Sequence, residues 1–366
     1  MADDSLLDKV HALSDLELAV LLSLISREHC LVSTPSEAID DLIQELQLVA
    51  TKTFGLGWVV IDCTPSTTLE DFAAALLIGH QPSSGNSLSP QRNHPDSYFT
   101  SRPSTSHPRT PISPLTPGGA LSSRIANVIL AKNLDRAPQA VQIQALELLR
   151  TRRIFTRTSV QTAPKQFVFI PVLEAASGGE ARVTAHLNDF LYIAYWHDPE
   201  EGFVNLDEAD VGDAADTAST GSVVKRGPGD DSSPAPPLIV ESDISHLGTL
   251  SKEAQVDIEV TRYQMNIVSF LRMHRAVAGG ISPTATKHFG QLMRCLAALH
   301  RLDFVTPALV GLAAHKIYLH RIQLAIPEKE RSMQWGSRVE AVEALLEDIG
   351  PEDVVEDVLG MVTAPI

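Results

Sequence analysis

The chain has 366 residues, of which 44% are hydrophobic and 20% are charged, and its 29 basic and 45 acidic residues give a net charge of −16. This composition is typical of a globular protein with room for two or three domains. The acidic balance argues against a nucleic-acid-binding protein, because such surfaces are usually basic.

The cysteines and the start of the chain indicate a soluble intracellular protein. Cys30, Cys63 and Cys295 are odd in number, far apart and outside any CxxC pattern, which excludes a disulfide framework and a zinc site. The start, MADDSLLDK, is acidic, whereas a signal peptide begins with basic residues. The apolar run Leu16 to Ile25 contains Glu17 and is too short to span a bilayer. We therefore expect a cytoplasmic or nuclear protein that does not contact a membrane.

Helix and strand patterns alternate over two blocks. Residues 1–80 predict a helix ending near Ser26, the strand Cys30-Leu31-Val32, the helix DDLIQELQLVATKTF, the strand WVVIDCT and the helix TLEDFAAALLIG. Residues 124–197 predict a strand ending at Ala131, a helix, the strand FVFIPVL and the segment HLNDFLYIAYW. Such alternation predicts an α/β fold with a parallel sheet flanked by helices.

Two low-complexity segments separate the ordered blocks. Residues 81–123 are rich in Ser, Pro, Thr and Gly, so we expect a disordered insertion. Residues 198–237 are acidic and end in GPGDDSSPAPP, which predicts a disordered linker. Beyond them the patterns are helical, over 238–325 and a C-terminal extension, 326–366.

The turn after the first strand, LVSTPSEAIDDLIQEL, lacks the features of a phosphate-binding loop. Such a loop is rich in glycine and carries a lysine for the terminal phosphates, whereas this turn has no glycine, and Glu37, Asp40 and Asp41 crowd the helix start. Thr34 and Glu37 instead predict a capping box, with Pro35 at the first helical position. We do not expect this turn to bind ATP.

The second block and the C-terminal region resemble a known family. ILAKNLDRAPQAVQIQALELLRTRRI is similar to the hydrolytic strand, Asn-Arg-Ala-Pro turn and following helix of AAA+ ATPases of the MoxR and magnesium chelatase I-subunit group. GISPTATKHFGQLMRCLAALHRLDFVTPALVGLAAHKIYLHRI is similar to the helical lid of that group. The resemblance implies an AAA+-like P-loop NTPase core with an α-helical lid.

Four positions that the resemblance assigns to the nucleotide site have changed. The phosphate-loop lysine falls on Asp40 and the adjacent Thr or Ser falls on Asp41. The magnesium-binding and catalytic acids fall on Lys132 and Asn133. Since the two loops face each other in that family, Lys132 is expected to form an ion pair with Asp40.

Three further positions have changed as well. The γ-phosphate-sensing Asn falls near Glu174, the arginine finger falls on Asp189, and the lid arginine falls on Thr284. Because each such group contributes orders of magnitude to phosphoryl transfer, we expect no catalytic residues, no metal site and no cofactor.

Three functions remain open from the sequence. The leading hypothesis is a pseudo-ATPase that serves as a scaffold or partner-binding module, with protein partners in an AAA+-type hetero-oligomer and no nucleic acid. The alternative is an ATP-hydrolysing subunit of a magnesium-chelatase-like or MoxR-like complex, which would use ATP and magnesium. A third is an adaptor that binds partners through its disordered segments, which deletion of residues 81–123 would test.

Two other groups of residues were considered as sites. A basic cluster near a turn, in LRTRRIFTRT, contains Arg150, Arg152, Arg153 and Arg157, and it suits a solvated helix end or contact with the acidic linker, a partner or nucleic acid. His315 and His320 share a predicted helix but are five residues apart, a spacing that does not suit a shared metal.

Overall fold

The computed structural model describes residues 2–78, 124–156, 159–208 and 236–365. Its helices are α1 (Ala2–His11), α2 (Asp15–Ser26), α3 (Ile39–Leu48), α4 (Leu69–Ala75), α5 (Gln139–Thr151), α6 (Ala185–Phe190), α7 (Glu241–Glu253), α8 (Ile258–Met273), α9 (Pro283–Leu299), α10 (Pro307–Tyr318), α11 (Val339–Leu346) and α12 (Pro351–Met361). Its strands are β1 (Cys30–Thr34), β2 (Trp58–Asp62), β3 (Leu77–Ile78), β4 (Arg124–Ile125), β5 (Val128–Lys132), β6 (Arg153–Phe155), β7 (Val160–Thr162), β8 (Val168–Glu174), β9 (Ile193–Trp196), β10 (Val277–Gly279) and β11 (Gln323–Leu324). Within those four ranges, every helix is too short or too polar to span a bilayer.

Five parallel strands form the central sheet, in the order β2-β5-β8-β1-β9. β1 is buried over its whole length and β8 up to its last residue, as expected of parallel strands covered on both faces. After β1 the chain crosses to the far edge at β2, returns through β5 and β8, and places β9 on the other side of β1. The carboxyl end of β1 therefore lies at the topological switch point, where open α/β sheets bind ligands.

Each face of the sheet builds its own hydrophobic core. Side chains alternate along β1, so Cys30 and Val32 enter one core and Leu31 enters the other. The first core also contains apolar residues of α2, α3 and the helices after residue 238. The second contains those of α4 and α5. Helices thus cover both faces, which confirms the predicted α/β arrangement.

Local structure departs from the predicted elements at two places. The first predicted helix is two helices, because Ser14 Oγ accepts from Glu17 N at 3.3 Å and Glu17 Oε2 accepts from Ser14 N at 2.9 Å, a capping box that starts α2. The helix predicted over TLEDFAAALLIG ends at Ala75, and β3 then pairs with β4. The insertion predicted over 81–123 lies outside the described residues.

Residues 198–208 are folded, although the sequence places them in a disordered acidic linker over 198–237. Asn205 is 7% exposed, and its Nδ2 donates to Glu45 Oε1 at 2.9 Å and to Glu17 Oε1 at 3.3 Å. Two buried carboxylates of α2 and α3 thus hold this segment on the core. Composition alone could not indicate it, because the partners lie far away in sequence. Most of the remaining linker is outside the described residues.

The C-terminal part is mainly helical, as predicted. Thr306 caps α10 through its Oγ1, and Pro307 occupies the first turn, which confirms the predicted helix start. The last helix, α12, packs on α8 and α10. Its buried side chains are Val354, Val355 and Val358. The C-terminal extension is therefore part of the first hydrophobic core.

Gly280, between β10 and α9, occupies a position that suits only glycine. Its φ is +98°, and an added Cβ would stand 1.8 Å from the carbonyl oxygen of Arg321. We expect Gly280→Ala to lower the free energy of unfolding by about 3 kcal/mol, because both the backbone strain and the clash must be relieved. Urea unfolding of the purified chain measures this.

Gly311 provides the matched control. It lies inside α10, and an added Cβ would meet no heavy atom within 4 Å. Gly311→Ala should raise the free energy of unfolding by about 0.5–1 kcal/mol, since alanine favours the helix. Equal effects of the two substitutions would contradict the expectation.

Candidate functional site

The carboxyl ends of β1, β5 and β8 lie side by side at the switch point. Thr34 of β1 is opposite Glu174 of β8, and Lys132 ends β5, the next strand. Asp40 and Asp41 stand in the first turn of α3, which follows β1 after a short 3₁₀ turn. The fold therefore places along one edge the residues assigned to the phosphate loop, the catalytic acid and the sensor.

An ion pair joins the first turn of α3 to the end of β5. Lys132 Nζ donates to Asp40 Oδ1, which confirms the pair predicted from the sequence. The Lys132 side chain is 19% exposed and that of Asp40 is 72% exposed. Water screens such a pair, so it contributes no more than about 1 kcal/mol to stability. The pair matters for its place, because it directly links the positions that the family resemblance assigns to the phosphate loop and to the catalytic acids.

A second polar group lies beside that ion pair. Asn133 Nδ2 donates to Glu174 Oε1 at 3.2 Å, and Arg136 Nη2 donates to Glu174 Oε2 at 2.5 Å. Asn133 adopts a left-handed backbone with φ 51°, a conformation that asparagine tolerates better than most residues. Its Oδ1 is buried and accepts no hydrogen bond from the described residues. Glu174 therefore binds side chains from the turn after β5.

The predicted helix cap at Thr34 is wrong. Thr34 is the last residue of β1, is fully buried, and donates from its Oγ1 to the carbonyl oxygen of His197 at 3.0 Å. Pro35 precedes the 3₁₀ turn, and α3 begins only at Ile39, after Ala38. The hydroxyl is thus used by the segment after β9, a contact that spacing within the turn cannot reveal. The acids at the start of α3 complement the helix dipole.

The two remaining predicted positions lie where the lid meets the core. Asp189, in α6, accepts a hydrogen bond from Ser282 Oγ at 2.5 Å, and its Oδ1 is 3.6 Å from Arg321 Nε. Ser282 is the N-cap of α9, and Thr284 stands in the first turn of that helix with a neutral, half-buried side chain. Asp189, which the resemblance assigns to the arginine-finger position, therefore contacts the lid of its own chain.

Arg321 holds the lid against the core. It is 2% exposed, and its guanidinium donates to the carbonyl oxygens of Asp189, Leu191 and Tyr192. It also donates to Nδ1 of His288 at 2.9 Å. Burial lowers the pKa of Arg321 to about 10, against the opposing effect of the Asp189 carboxylate. The guanidinium is therefore charged at neutral pH.

Neighbouring side chains reinforce the junction. His320 Nε2 lies 3.0 Å from the carbonyl oxygen of Leu191, and Asn188 Nδ2 donates to the carbonyl oxygen of His320 at 2.7 Å. Arg182 donates to the carbonyl oxygens of His320 and Ile322. The sequence analysis assigned no role to these residues. The sequence feature that could have indicated the junction is the polar pair His320-Arg321 in the otherwise largely apolar segment KIYLHRI.

The two histidines considered from the sequence do not share a site, and Arg157 of the basic cluster lies outside the described residues. His315 Nε2 is 3.1 Å from Glu356 Oε1, whereas His320 faces the core. Arg152 Nη2 donates to the carbonyl oxygen of Arg27 at 2.8 Å. No group of three or more potential metal-ligating side chains occurs in the part of the chain that the structure describes.

The side chains at the carboxyl edge do not fit ATP with magnesium. A triphosphate needs free backbone N–H groups and a lysine, and the metal needs oxygen ligands beside them. Here Asp40 and Asp41 bring negative charge to the helix start, and Lys132 is already paired with Asp40. Like charges a few ångströms apart repel by an energy on the order of kcal/mol even with strong screening.

Comparison with known proteins gives one family match and two similar structures. The AAA lid domain family matches residues 269–348. The structure of a candidate ATPase from Cytophaga hutchinsonii superposes with a TM-score of 0.61 at 12% identity, over 99% of this chain and 94% of that chain. A full-length MCM homologue from Methanopyrus kandleri has a TM-score of 0.43 at 10% identity, over 88% of this chain and 60% of that one. No curated protein sequence matches the chain.

The sheet and the lid together define the class. The chain has the α/β P-loop NTPase fold with a helical lid, and this confirms the predicted fold. It is an AAA+-type protein in its fold, with an AAA lid domain over residues 269–348. The lid match begins later than residue 238 and ends later than residue 325, the bounds of the helical block in the sequence.

Proposed function

We propose that this chain is a pseudo-ATPase, an AAA+-type scaffold that binds protein partners and does not hydrolyse ATP. The observation that supports this proposal best is the ion pair between Lys132 and Asp40 at the switch point. Glu174 is tied in the same way to Asn133 and Arg136. The groups that would handle phosphate and magnesium bind one another instead.

The chemistry of phosphoryl transfer explains why these changes matter. An NTPase of this fold needs a cation for the phosphates, acids for magnesium and a polar group to orient water. Asp40 stands at the cation position, and Lys132 and Asn133 stand at the acid positions. Each missing group would cost orders of magnitude in rate, so the remaining side chains offer no route to hydrolysis.

The core–lid junction supports a static role as well. Asp189 is at the arginine-finger position, has the opposite charge, and binds Ser282 and Arg321 of its own lid. It therefore has no cation to offer to a nucleotide on a neighbouring subunit. A lid fixed by buried hydrogen bonds suits a rigid binding surface.

The kind of partner and assembly follows from the family resemblance noted in the sequence. We propose that the partners are proteins, in a hetero-oligomer of the MoxR-like or magnesium-chelatase-like kind. For this chain we take the names of that group to indicate ancestry and not activity, since porphyrin-handling residues are not visible in the sequence.

Calorimetric titration with ATP and magnesium tests the proposal. We expect no binding heat up to millimolar nucleotide, which corresponds to a Kd weaker than about 1 mM. A micromolar Kd would overturn the proposal. It would also favour the alternative, an ATP-hydrolysing subunit, if hydrolysis by the purified chain vanished in Asn133→Ala and persisted in a surface control, Glu200→Ala.

A further inference from the structure

A mostly apolar pocket lies between the core and the lid, apart from the switch point. It has a volume of about 510 Å³, and its walls come from α1 and α2, from the strand β9 and from the lid helices α9 and α10. Pockets that bind small molecules commonly have volumes of about 300–1,000 Å³. The walls include none of the side chains that hold the junction around Arg321. We call this feature the core–lid pocket.

Buried apolar side chains form most of the wall. Leu22 of α2 is 8% exposed, and Leu292 and Leu296 of α9 are 0% and 7% exposed. Ile193 of β9 is 2% exposed. In general, an apolar cavity of about 150 Å³ takes up a molecule of the size of benzene. The core–lid pocket has about three times that volume, so it has room for an alkyl chain.

The solvent-exposed wall residues mark the mouth of the pocket. His11, Asp15 and His300 are exposed, and Leu312 of α10 is 43% exposed. The walls thus change from buried apolar side chains to exposed, mainly polar ones. A ligand that suits this gradient has an apolar body and a polar end.

Lys316 is a cation in the wall without a counter-ion. Its Nζ lies 5.5 Å from the ring centroid of Tyr195, and both residues line the pocket. Lys316 is half-buried and forms no ion pair with any residue in the four described ranges. The ring face attracts the ammonium group, but it does not accept the strong hydrogen bonds that a carboxylate accepts. Lys316 therefore has donors available for an anionic group.

Tyr195 brings a second donor to the same part of the wall. Burial raises the pKa of Tyr195, and Glu201 and Asp15 raise it further, so its hydroxyl keeps its proton at neutral pH. β9, which carries Tyr195, is the outermost strand of the described central sheet. The outer edge of such a strand presents backbone N–H groups that no neighbouring strand uses. The donors near Lys316 therefore suit a carboxylate.

The other charges around the pocket do not outweigh Lys316. Asp15 is exposed in the first turn of α2, where the helix dipole favours its negative charge. Glu201 is exposed and lies outside the walls. Water and salt screen exposed charges more strongly than half-buried ones. His11 and His300 add no negative charge. The pocket therefore favours a negative end group over a positive one.

We propose that the core–lid pocket binds a single-chain fatty acid, with the alkyl chain against α2 and α9 and the carboxylate at Lys316 and Tyr195. Such a ligand contacts the core and the lid at once. Because it binds the folded chain only, it raises the thermal stability of the chain. The site is independent of the nucleotide-site positions and of the proposed scaffold role.

Calorimetric titration of the full chain with sodium decanoate, below the concentration at which it forms micelles, tests the site. We expect a Kd of about 50 μM and a rise in Tm of at least about 2 °C at saturating ligand. Hexanoate should bind at least about tenfold more weakly, because its shorter chain buries less apolar surface. Absence of both binding heat and a change in Tm at about 1 mM decanoate would overturn the proposal.

Ligands with the same chain length and other end groups test the preference for a carboxylate. 1-Decanol is neutral and decylamine is positive, and each should bind at least about tenfold more weakly than decanoate. Equal or tighter binding of decylamine would mean that Asp15, and not Lys316, determines the preferred charge. That outcome would overturn the proposal.

Substitutions in the wall locate the bound ligand. Lys316→Met keeps an unbranched side chain but removes the charge, so it should weaken decanoate binding at least about tenfold and leave 1-decanol binding unchanged. The matched control, Lys252→Met, removes an exposed lysine from α7 and should change neither affinity. Ala19→Phe fills the pocket from α2 and should abolish the binding of both ligands.

The charge substitution decides the result even if the filled variant does not fold. Lys316 is only half-buried and lacks an ionic partner in the described chain, so Lys316→Met should keep the fold. Its Tm without ligand checks this. Decanoate binding that Lys316→Met leaves unchanged would overturn the proposal, because the carboxylate would then lie elsewhere.

Discussion

An Arg321→Ala variant should unfold about 10 °C below the wild-type chain, a loss of about 3–5 kcal/mol. The guanidinium is 2% exposed and donates to three core carbonyl groups and to His288. Its removal leaves those acceptors and the Asp189 carboxylate without their cationic partner, and a buried group without a partner carries the full desolvation cost. Differential scanning calorimetry measures the change in Tm.

Two further variants show whether the loss comes from this junction. Arg321→Lys keeps the positive charge but lacks the planar fork that reaches several carbonyl groups at once, so it should recover only part of the loss. Arg294→Ala removes an exposed arginine from α9 and should change stability by less than about 0.5 kcal/mol. A Tm for Arg321→Ala within about 2 °C of wild type would show that the lid does not depend on Arg321.

The sequence predicted those features that depend on local pattern. Alternating apolar strands and helices indicated the parallel sheet, because covered strands must be apolar on both faces. Thr306 and Pro307 marked the start of α10 for a similarly local reason. The ion pair between Lys132 and Asp40 was predicted because the family resemblance placed two distant loops opposite each other. The opposite charges of the two side chains then favour a contact.

The features that were missed depend on distant partners. Thr34 was predicted to cap the following helix, yet its hydroxyl donates to the carbonyl oxygen of His197, just after β9. Asn205 was predicted to lie in a disordered linker, yet Glu17 and Glu45 bind it in the core. In each case one polar side chain is fixed by a residue more than a hundred positions away, and no spacing rule covers such a contact.

The lid junction combines both kinds of feature. From the sequence, the resemblance assigns the arginine-finger position to Asp189. Its negative charge in place of a positive one was interpreted as the loss of a catalytic group. In the structure the carboxylate has a definite partner, since Arg321 and Ser282 both bind it. Under the pseudo-ATPase proposal, the substitution that removes a catalytic cation also supplies a counter-ion for the lid.

Three buried histidines near this junction should make the chain strongly sensitive to acid. Burial lowers the pKa of His29 and of His288 to about 3 each, and it lowers that of His320 well below the usual value. Nearby arginines act in the same direction, Arg152 on His29 and Arg321 on the other two.

Hydrogen bonds also require the neutral forms. His29 Nδ1 accepts from Phe169 N at 3.1 Å, and His288 Nδ1 accepts from Arg321 at 2.9 Å. Protonation at either nitrogen would remove an acceptor. Glu28 lies 3.8 Å from His288 Nε2 and favours its charged form, but burial raises the pKa of Glu28 as well. The guanidinium of Arg321 is closer to His288 than that carboxylate, so the neutral form prevails.

The sign of the effect follows from these pKa values. An unfolded histidine titrates near pH 6.5, so between pH 6.5 and about 3 the unfolded state binds more protons than the folded state. The contribution of these histidines to the free energy of unfolding is therefore fully present above about pH 6.5 and is lost as the pH falls toward 3. His29 and His288 each contribute about 1.4 kcal/mol per pH unit, so these two together should cost about 4 kcal/mol between pH 7 and pH 5, and His320 adds to the loss in the same direction.

Urea unfolding at several pH values between 7 and 5 measures this loss, and one variant assigns it. His288→Gln keeps an acceptor for Arg321 but cannot take up a proton, so the slope of unfolding free energy against pH should fall by about 1.4 kcal/mol per pH unit. His11→Gln changes an exposed histidine and should leave the slope unchanged. A free energy of unfolding that stays constant from pH 7 to pH 5.5 would mean that these histidines are already protonated, or solvated, in the folded chain. The neutral hydrogen-bonded junction around Arg321 would then be the wrong description of how the lid is held.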